Sequence, residues 1–265
     1  MYVIKRKETT PLKYLMFDTE TTNDIDCPIC YDFGFSVIDE NGKVYEQGSF
    51  VVADVFLDKS LMESAYFADK IPQYWQDINA GKRVLRRWKT IKCIIKDVMA
   101  QHEITYVVAH NARFDYASTA TTQRYLTCSK WRFFFPYGTQ FLDTLKMSRA
   151  TFKEDENYIA FCEQNNFLTS YGKPQFTAEV LYRYLTNNID FVESHTGLED
   201  VEIETQIFLE CLRRNPNVNG LLWEDQAWRA ARAAVVLHKT KALFVWKFVQ
   251  YSMLTFLYLC GIILV

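Results

Sequence analysis

Three strand-like runs near the N-terminus, followed by alternating helical and strand-like segments, restrict this chain to a layered α/β architecture with a mixed sheet. Lys13–Phe17 is a short apolar run, and Phe33–Ile38 is another. Asp39-Glu-Asn-Gly42 then carries the Asn-Gly signal of a tight hairpin turn, so Lys43–Val52 returns antiparallel as a third strand. The stretch that follows contains Pro72 and Gly81 and has no clear period. From Val84 to Gln101 apolar residues recur at helical spacing (Leu85, Trp88, Ile91, Ile94, Ile95, Val98), which predicts one continuous helix. Ile104–Ala109 reads as a β-branched fourth strand, Asp115–Tyr125 as a helix and Phe141–Asp143 as a fifth strand. Helices are expected over Glu154–Asn165, Thr177–Thr186 and Leu198–Arg213. The expected sheet is therefore five-stranded and mixed, with flanking helices.

Three motifs fall at the ends of these elements. The first is Phe17-Asp18-Thr19-Glu20-Thr21-Thr22. Residues i and i+2 of a strand share a face, so Asp18 and Glu20 project two carboxylates together. Two like charges side by side are costly unless a cation lies between them, and oxygen ligands suit magnesium or manganese. The second motif, Ala109-His110-Asn111-Ala112-Arg113-Phe114-Asp115, follows a strand and opens a helix, with Asn111 expected as its N-cap. Asp115 falls one turn later on the face of Asn111. The third is His195-Thr-Gly-Leu-Glu-Asp200, with the histidine in a loop and the aspartate in the early turns of a helix. A loop histidine can approach a nucleophilic water while the helix holds the carboxylate still.

Each motif alone has an ordinary structural explanation. In this order and spacing they resemble the DEDD exonuclease superfamily. The His-x4-Asp form resembles its histidine branch, which includes polymerase proofreading subunits, ribonuclease T and oligoribonuclease. The resemblance covers about residues 12–213, and Phe141-Leu-Asp-Thr-Leu-Lys-Met-Ser-Arg149 also fits it. It implies a ribonuclease H-like fold and a 3′→5′ exonuclease. It further implies that Asp18, Glu20, Asp115 and Asp200 bind two divalent cations, Mg2+ or Mn2+, and that His195 is the general base. Thr21 would lie near the terminal 3′ hydroxyl, mainly through its backbone, and Thr21, Asn111 and Phe114 are the candidate substrate-binding residues. Two metals about 3.5–4 Å apart stabilise phosphodiester hydrolysis. An ordinary histidine, titrating near pH 6.5, suits removal of a proton from water. His110 and Asp143 are expected to be structural, Asp143 holding a strand–helix junction.

A formal net charge of −2 excludes a protein that coats nucleic acid through overall basicity. Lys82, Arg83, Arg86, Arg87 and Lys89 surround Trp88, as a phosphate guide or a solvated helix face. Arg124, Lys130, Trp131 and Arg132 interleave with Tyr125 and Phe133–Phe135, a pattern of base stacking or of core packing. Seven cysteines without a framework spacing, and an N-terminus without an apolar signal core, predict a reducing, cytoplasmic setting. Cys27-Pro-Ile-Cys30 has no matching second pair and carries no zinc or redox reading.

Asn215–Leu222 is a loop signal, dividing an exonuclease domain, 1–214, from a C-terminal helical extension, 215–265. Phe248–Val265 contains no charge and follows Arg229, Arg232, Lys239 and Lys241, with Trp246 and Tyr251 as interfacial rings. It reads either as a membrane anchor or as an apolar helix packed on the nuclease or on a partner chain, a polymerase or a second copy. The expected substrate is the 3′ end of single-stranded or frayed DNA. The alternatives are RNA trimming and, in a different class, a nucleic-acid-binding module without catalysis. The last would require a missing carboxylate or histidine, and none is missing. The 2′-hydroxyl decides between RNA and DNA, and no residue can be assigned to it.

Overall fold

The computed structural model describes residues 11–22, 26–128 and 133–223. The expectations for the C-terminal tail and for Lys130, Trp131 and Arg132 lie outside these residues. Among the described residues no helix is long and apolar enough to cross a membrane.

The sheet begins with β1 (Lys13–Thr22), β2 (Ile29–Asp39) and β3 (Val44–Val52), an antiparallel meander. β1 runs five residues past the apolar stretch that announced it. Its extension is rich in β-branched threonine, and it stays paired with β2 through a register shift between Glu20 and Thr21. Gly42, at φ +82°, supplies the left-handed backbone of the expected turn between β2 and β3.

Among the described residues six strands are present rather than five. Val84–Arg86 forms β4 instead of the start of a helix, and the helix proper, α4 (Trp88–Gln101), begins after it. The apolar spacing that suggested one helix spans both. Parallel pairing of β4 with the end of β3 overrides the local period there. Four short helical segments occupy the stretch that had no readable period: α1 (Ala53–Phe56), α2 (Lys59–Met62), a 3₁₀ turn at Ala68–Lys70, and α3 (Ile71–Asn79). The second half contains β5 (Tyr106–Ala109), α5 (Ala112–Thr127), β6 (Gln140–Asp143), α6 (Thr144–Phe152), α7 (Glu156–Gln164), α8 (Ala178–Thr186) and α9 (Gly197–Arg214).

The strand order is β4-β3-β2-β1-β5-β6. β5 is parallel to β1, pairing Tyr14 with Tyr106 and Met16 with Val108. The C-terminal ends of β1 and β5 therefore open at one end of the sheet, where ligand crevices form in α/β folds. Side chains of β1 alternate between two cores. Tyr14 and Met16 pack with Val201, Ile207 and Phe208 of α9, and with Met147, Phe152 and Tyr158 of α6 and α7. Phe17 points the other way, against Phe33, Phe135 and Phe141. Phe134 and Phe135 are buried in that second layer, so these two rings are core and not an exposed stacking platform.

Candidate active site

At the open end of β1, Asp18 and Glu20 lie on the α9 face and are partly exposed, while Phe17 and Thr19 are buried on the other. Asp115 comes from the first turn of α5 and is 2% exposed. Its Oδ1 accepts from the Thr19 backbone N–H at 3.1 Å and from the Thr19 hydroxyl at 2.8 Å, which ties α5 to β1. Asn111 occupies the N-cap position of α5, but in the left-handed region (φ +59°) and without a side-chain cap. Its backbone N–H instead donates to Asp143 Oδ1 at 3.0 Å, and the same oxygen caps α6 through Leu145 N at 3.0 Å. Asp143 thus holds the junction as expected.

Asp200 enters from α9. The start of that helix lies backbone-on-backbone against β2: a Cβ on Gly34 would come within 2.2 Å of the Gly197 carbonyl carbon, and one on Gly197 within 2.7 Å of Gly34 N. Only glycine permits this approach, and it brings Asp200 over the carboxylates of β1. Asp200 Oδ2 accepts from Thr196 N at 2.9 Å. His195, two residues before the helix, has a left-handed backbone (φ +48°) and a ring stacked on Phe67 at 4.4 Å and 14°. Its Nδ1 is 4.0 Å from Glu193 Oε2. Glu20, His195 and Asp200 each offer a ligand atom within 4.8 Å of the others, the one group of this kind among the described residues.

The cluster is electrostatically incomplete. Burial, with Asp115, Glu204, Glu20 and Asp200 as neighbours, raises the Asp18 carboxyl well above its usual range. Burial and Asp200 push Glu20 up to about 9. Burial and Glu193 push Asp200 up to about 8. Burial raises Asp115 to about 7 against the bonds from Thr19. Burial lowers His195, with Lys70 adding to the effect, which favours the neutral imidazole a base requires. Oxygen donors held this close in mutual repulsion fit hard divalent cations.

Two acids here were missed by the sequence reading. Glu204, one turn after Asp200, is 3% exposed and accepts from His110 N at 3.0 Å. The i, i+4 spacing from Asp200 was the available signal. Asp32, fully buried on β2, is the direct neighbour of Glu20 across the sheet and gives no local sequence signal. His110 is structural: its ring bridges the Thr144 hydroxyl at 2.9 Å and the Phe176 carbonyl at 2.8 Å. Thr21 and Phe114 line the same end of the sheet, at the close of β1 and in the first turn of α5.

Neither a protein-family model nor a curated protein matches the sequence. Solved structures do. The chain is similar to exonuclease I of E. coli in complex with a dT13 oligonucleotide (17% identity, TM-score 0.51, 77% of this chain and 42% of that one). It is also similar to the zinc-ion-bound form of the E. coli ExoI–ssDNA complex (17%, 0.51, 79% and 42%). A third is exonuclease I from Methylocaldum szegediense (19%, 0.50, 78% and 42%). The chain thus spans about two fifths of the length of these enzymes. At these identities the likeness establishes the fold alone, a ribonuclease H-like α/β arrangement.

Proposed function

We propose that this chain is a metal-dependent 3′→5′ exonuclease of the DEDD superfamily, histidine branch, acting on single-stranded DNA ends. The observation that carries the reading is the convergence of Asp18, Glu20, Asp115, Asp200 and His195 at one end of the sheet. Polarity and substrate rest on the fold shared with exonuclease I, which is known bound to an oligonucleotide.

Asp18, Glu20, Asp115 and Asp200 would hold two divalent cations, magnesium or manganese, which when bound neutralise phosphate oxygens and stabilise the leaving oxygen. The chain's own contributions are distinct. Thr19 fixes Asp115 Oδ1, and Thr196 fixes Asp200 Oδ2, so two of the four carboxylates enter with little freedom. Asp18 and Glu20 keep an open side toward substrate. His195 is half-exposed and neutral, and it removes the proton from the attacking water. Thr21 contacts the 3′ end beside Glu20, with Asn111 and Phe114 flanking the terminal nucleotide.

The test is degradation of matched 3′-labelled and 5′-labelled strands, in DNA and in RNA, with magnesium. The reading requires immediate loss of the 3′ label and a shortening ladder from the 5′-labelled strand. Loss of the 5′ label first, or internal cuts, would reject it. Faster digestion of RNA would keep the chemistry and replace the substrate.

A further inference from the structure

Behind the carboxylate cluster is a buried ion pair that the proposed chemistry does not use. Arg83 was one of the basic residues around Trp88, yet it is 3% exposed. Its guanidinium joins four elements. Nη1 donates to Asp32 Oδ2 on β2 at 3.2 Å and to Ser49 Oγ on β3 at 2.8 Å. Nε donates to Asp77 Oδ2 on α3 at 3.2 Å, and Nη2 to Glu199 Oε2 on α9 at 2.7 Å. Asp32 Oδ2 accepts in addition from Tyr74 OH at 2.8 Å and from Gly197 N at 3.0 Å. Glu199 Oε2 also accepts from the Thr196 hydroxyl at 2.9 Å.

These bonds reach the residues on the C-terminal side of His195 by two routes. Asp32 grips Gly197 directly, and Arg83 grips Thr196 through Glu199. Thr196 in turn donates its N–H to Asp200. His195 is held in a left-handed backbone that a non-glycine residue adopts only when its surroundings impose it.

We infer that Asp32, Arg83 and Glu199 are positioning residues that set the His195–Asp200 segment over the β1 carboxylates. The inference rests on the exonuclease reading for its kinetic consequence and on geometry alone for its structural one. Groups that orient a catalytic residue from behind typically matter about 10–100-fold.

Glu199 gives the cleanest test, because its side chain is 48% exposed and its removal leaves no buried hole. Glu199→Ala should lower kcat about tenfold, leave KM for a single strand essentially unchanged and keep the thermal midpoint near wild type. Glu199→Gln retains an oxygen acceptor for Arg83 and Thr196 and should recover most of the rate. A second readout does not need activity. Stacking on Phe67 shifts the imidazole Cε1–H NMR signal of His195 upfield, the signal being identified by its absence in His195→Gln. Glu199→Ala should lose that shift and Glu199→Gln should keep it. If the shift and kcat both survive in Glu199→Ala, the positioning role is overturned. It is also overturned if kcat falls only in step with stability, or alike in Ala and Gln. If wild type digests no strand while Glu199→Ala still loses the shift, the exonuclease reading fails and the positioning role stands.

Discussion

Two sets of buried or half-buried carboxylates adjoin the first turns of α9, and the fold treats them differently. Asp32 meets a guanidinium, a phenol and a backbone N–H, all on one oxygen. Asp18, Asp115, Asp200 and Glu204 are surrounded chiefly by one another; burial raises Asp32 as it raises them, but the Arg83 guanidinium works against the shift at Asp32. Lys70 partly counters the charge of Glu20. Burying a charge without a partner is costly. Asp32 is therefore offset by the Arg83 charge on one oxygen, although its Oδ1 has no partner, and on the proposed reading the second set would be offset by cations. On that reading, the paired acid holds the frame and the others do the chemistry.

The largest effect expected from this contrast is on activity. Asp18→Asn removes one repelling charge and one cation ligand. It should cost on the order of 10³-fold in turnover, the loss of several kcal/mol of transition-state stabilisation. The thermal midpoint without metal should be unchanged or higher. His195→Ala should cost about 10²-fold or more, the range of a positioned base, while metal binding is retained. Steady-state kinetics beside thermal melts separates the two readouts. A fall in stability matching the fall in rate would erase the distinction drawn here.

The paired set should respond in reverse. Arg83→Met strands Asp32 without its cation, and breaking a buried pair from one side costs about 3–5 kcal/mol of stability. Urea unfolding measures this directly. A variant as stable as wild type would mean that the pair is not part of the frame.

A smaller effect should appear with pH. Glu20 at about 9, Asp200 at about 8 and Asp115 at about 7 lie above their unfolded values, so the folded protein holds these protons more tightly than the unfolded chain. The stability they contribute is present below about pH 4 and is lost as pH rises through those values. In EDTA the thermal midpoint should fall between about pH 6 and 9, and saturating magnesium should flatten the fall. Asp18→Asn should flatten it as well. A metal-free midpoint that rises over this range would contradict the assignment.

Apart from Glu204, the unpaired set was legible in the sequence because its members sit in short motifs at the ends of strongly patterned elements. Asp18 and Glu20 follow an apolar run, Asp115 follows a β-branched one, and Asp200 follows a loop signal. The paired set was not legible, because its partners are far apart in the chain. Arg83 reads locally as one more exposed base in a basic run, and only the pairing of β4 with β3 turns it inward. Asp32 falls just before the apolar run Phe33–Ile38, and its place inside β2 comes from pairing with β1. The same non-local pairing explains why Val84–Arg86 looked helical, since its apolar spacing continues into α4. The left-handed backbone at Asn111 accompanies a bond from its N–H to Asp143, a partner thirty-two positions away.

The most direct test of an incomplete carboxylate cluster is a magnesium titration, starting from EDTA, that follows thermal midpoint and 3′-end digestion in one sample series. The account predicts that both rise together and saturate at the same magnesium concentration, and that Asp200→Asn abolishes both responses. Digestion that persists in EDTA, or a midpoint indifferent to magnesium in an active protein, would contradict it.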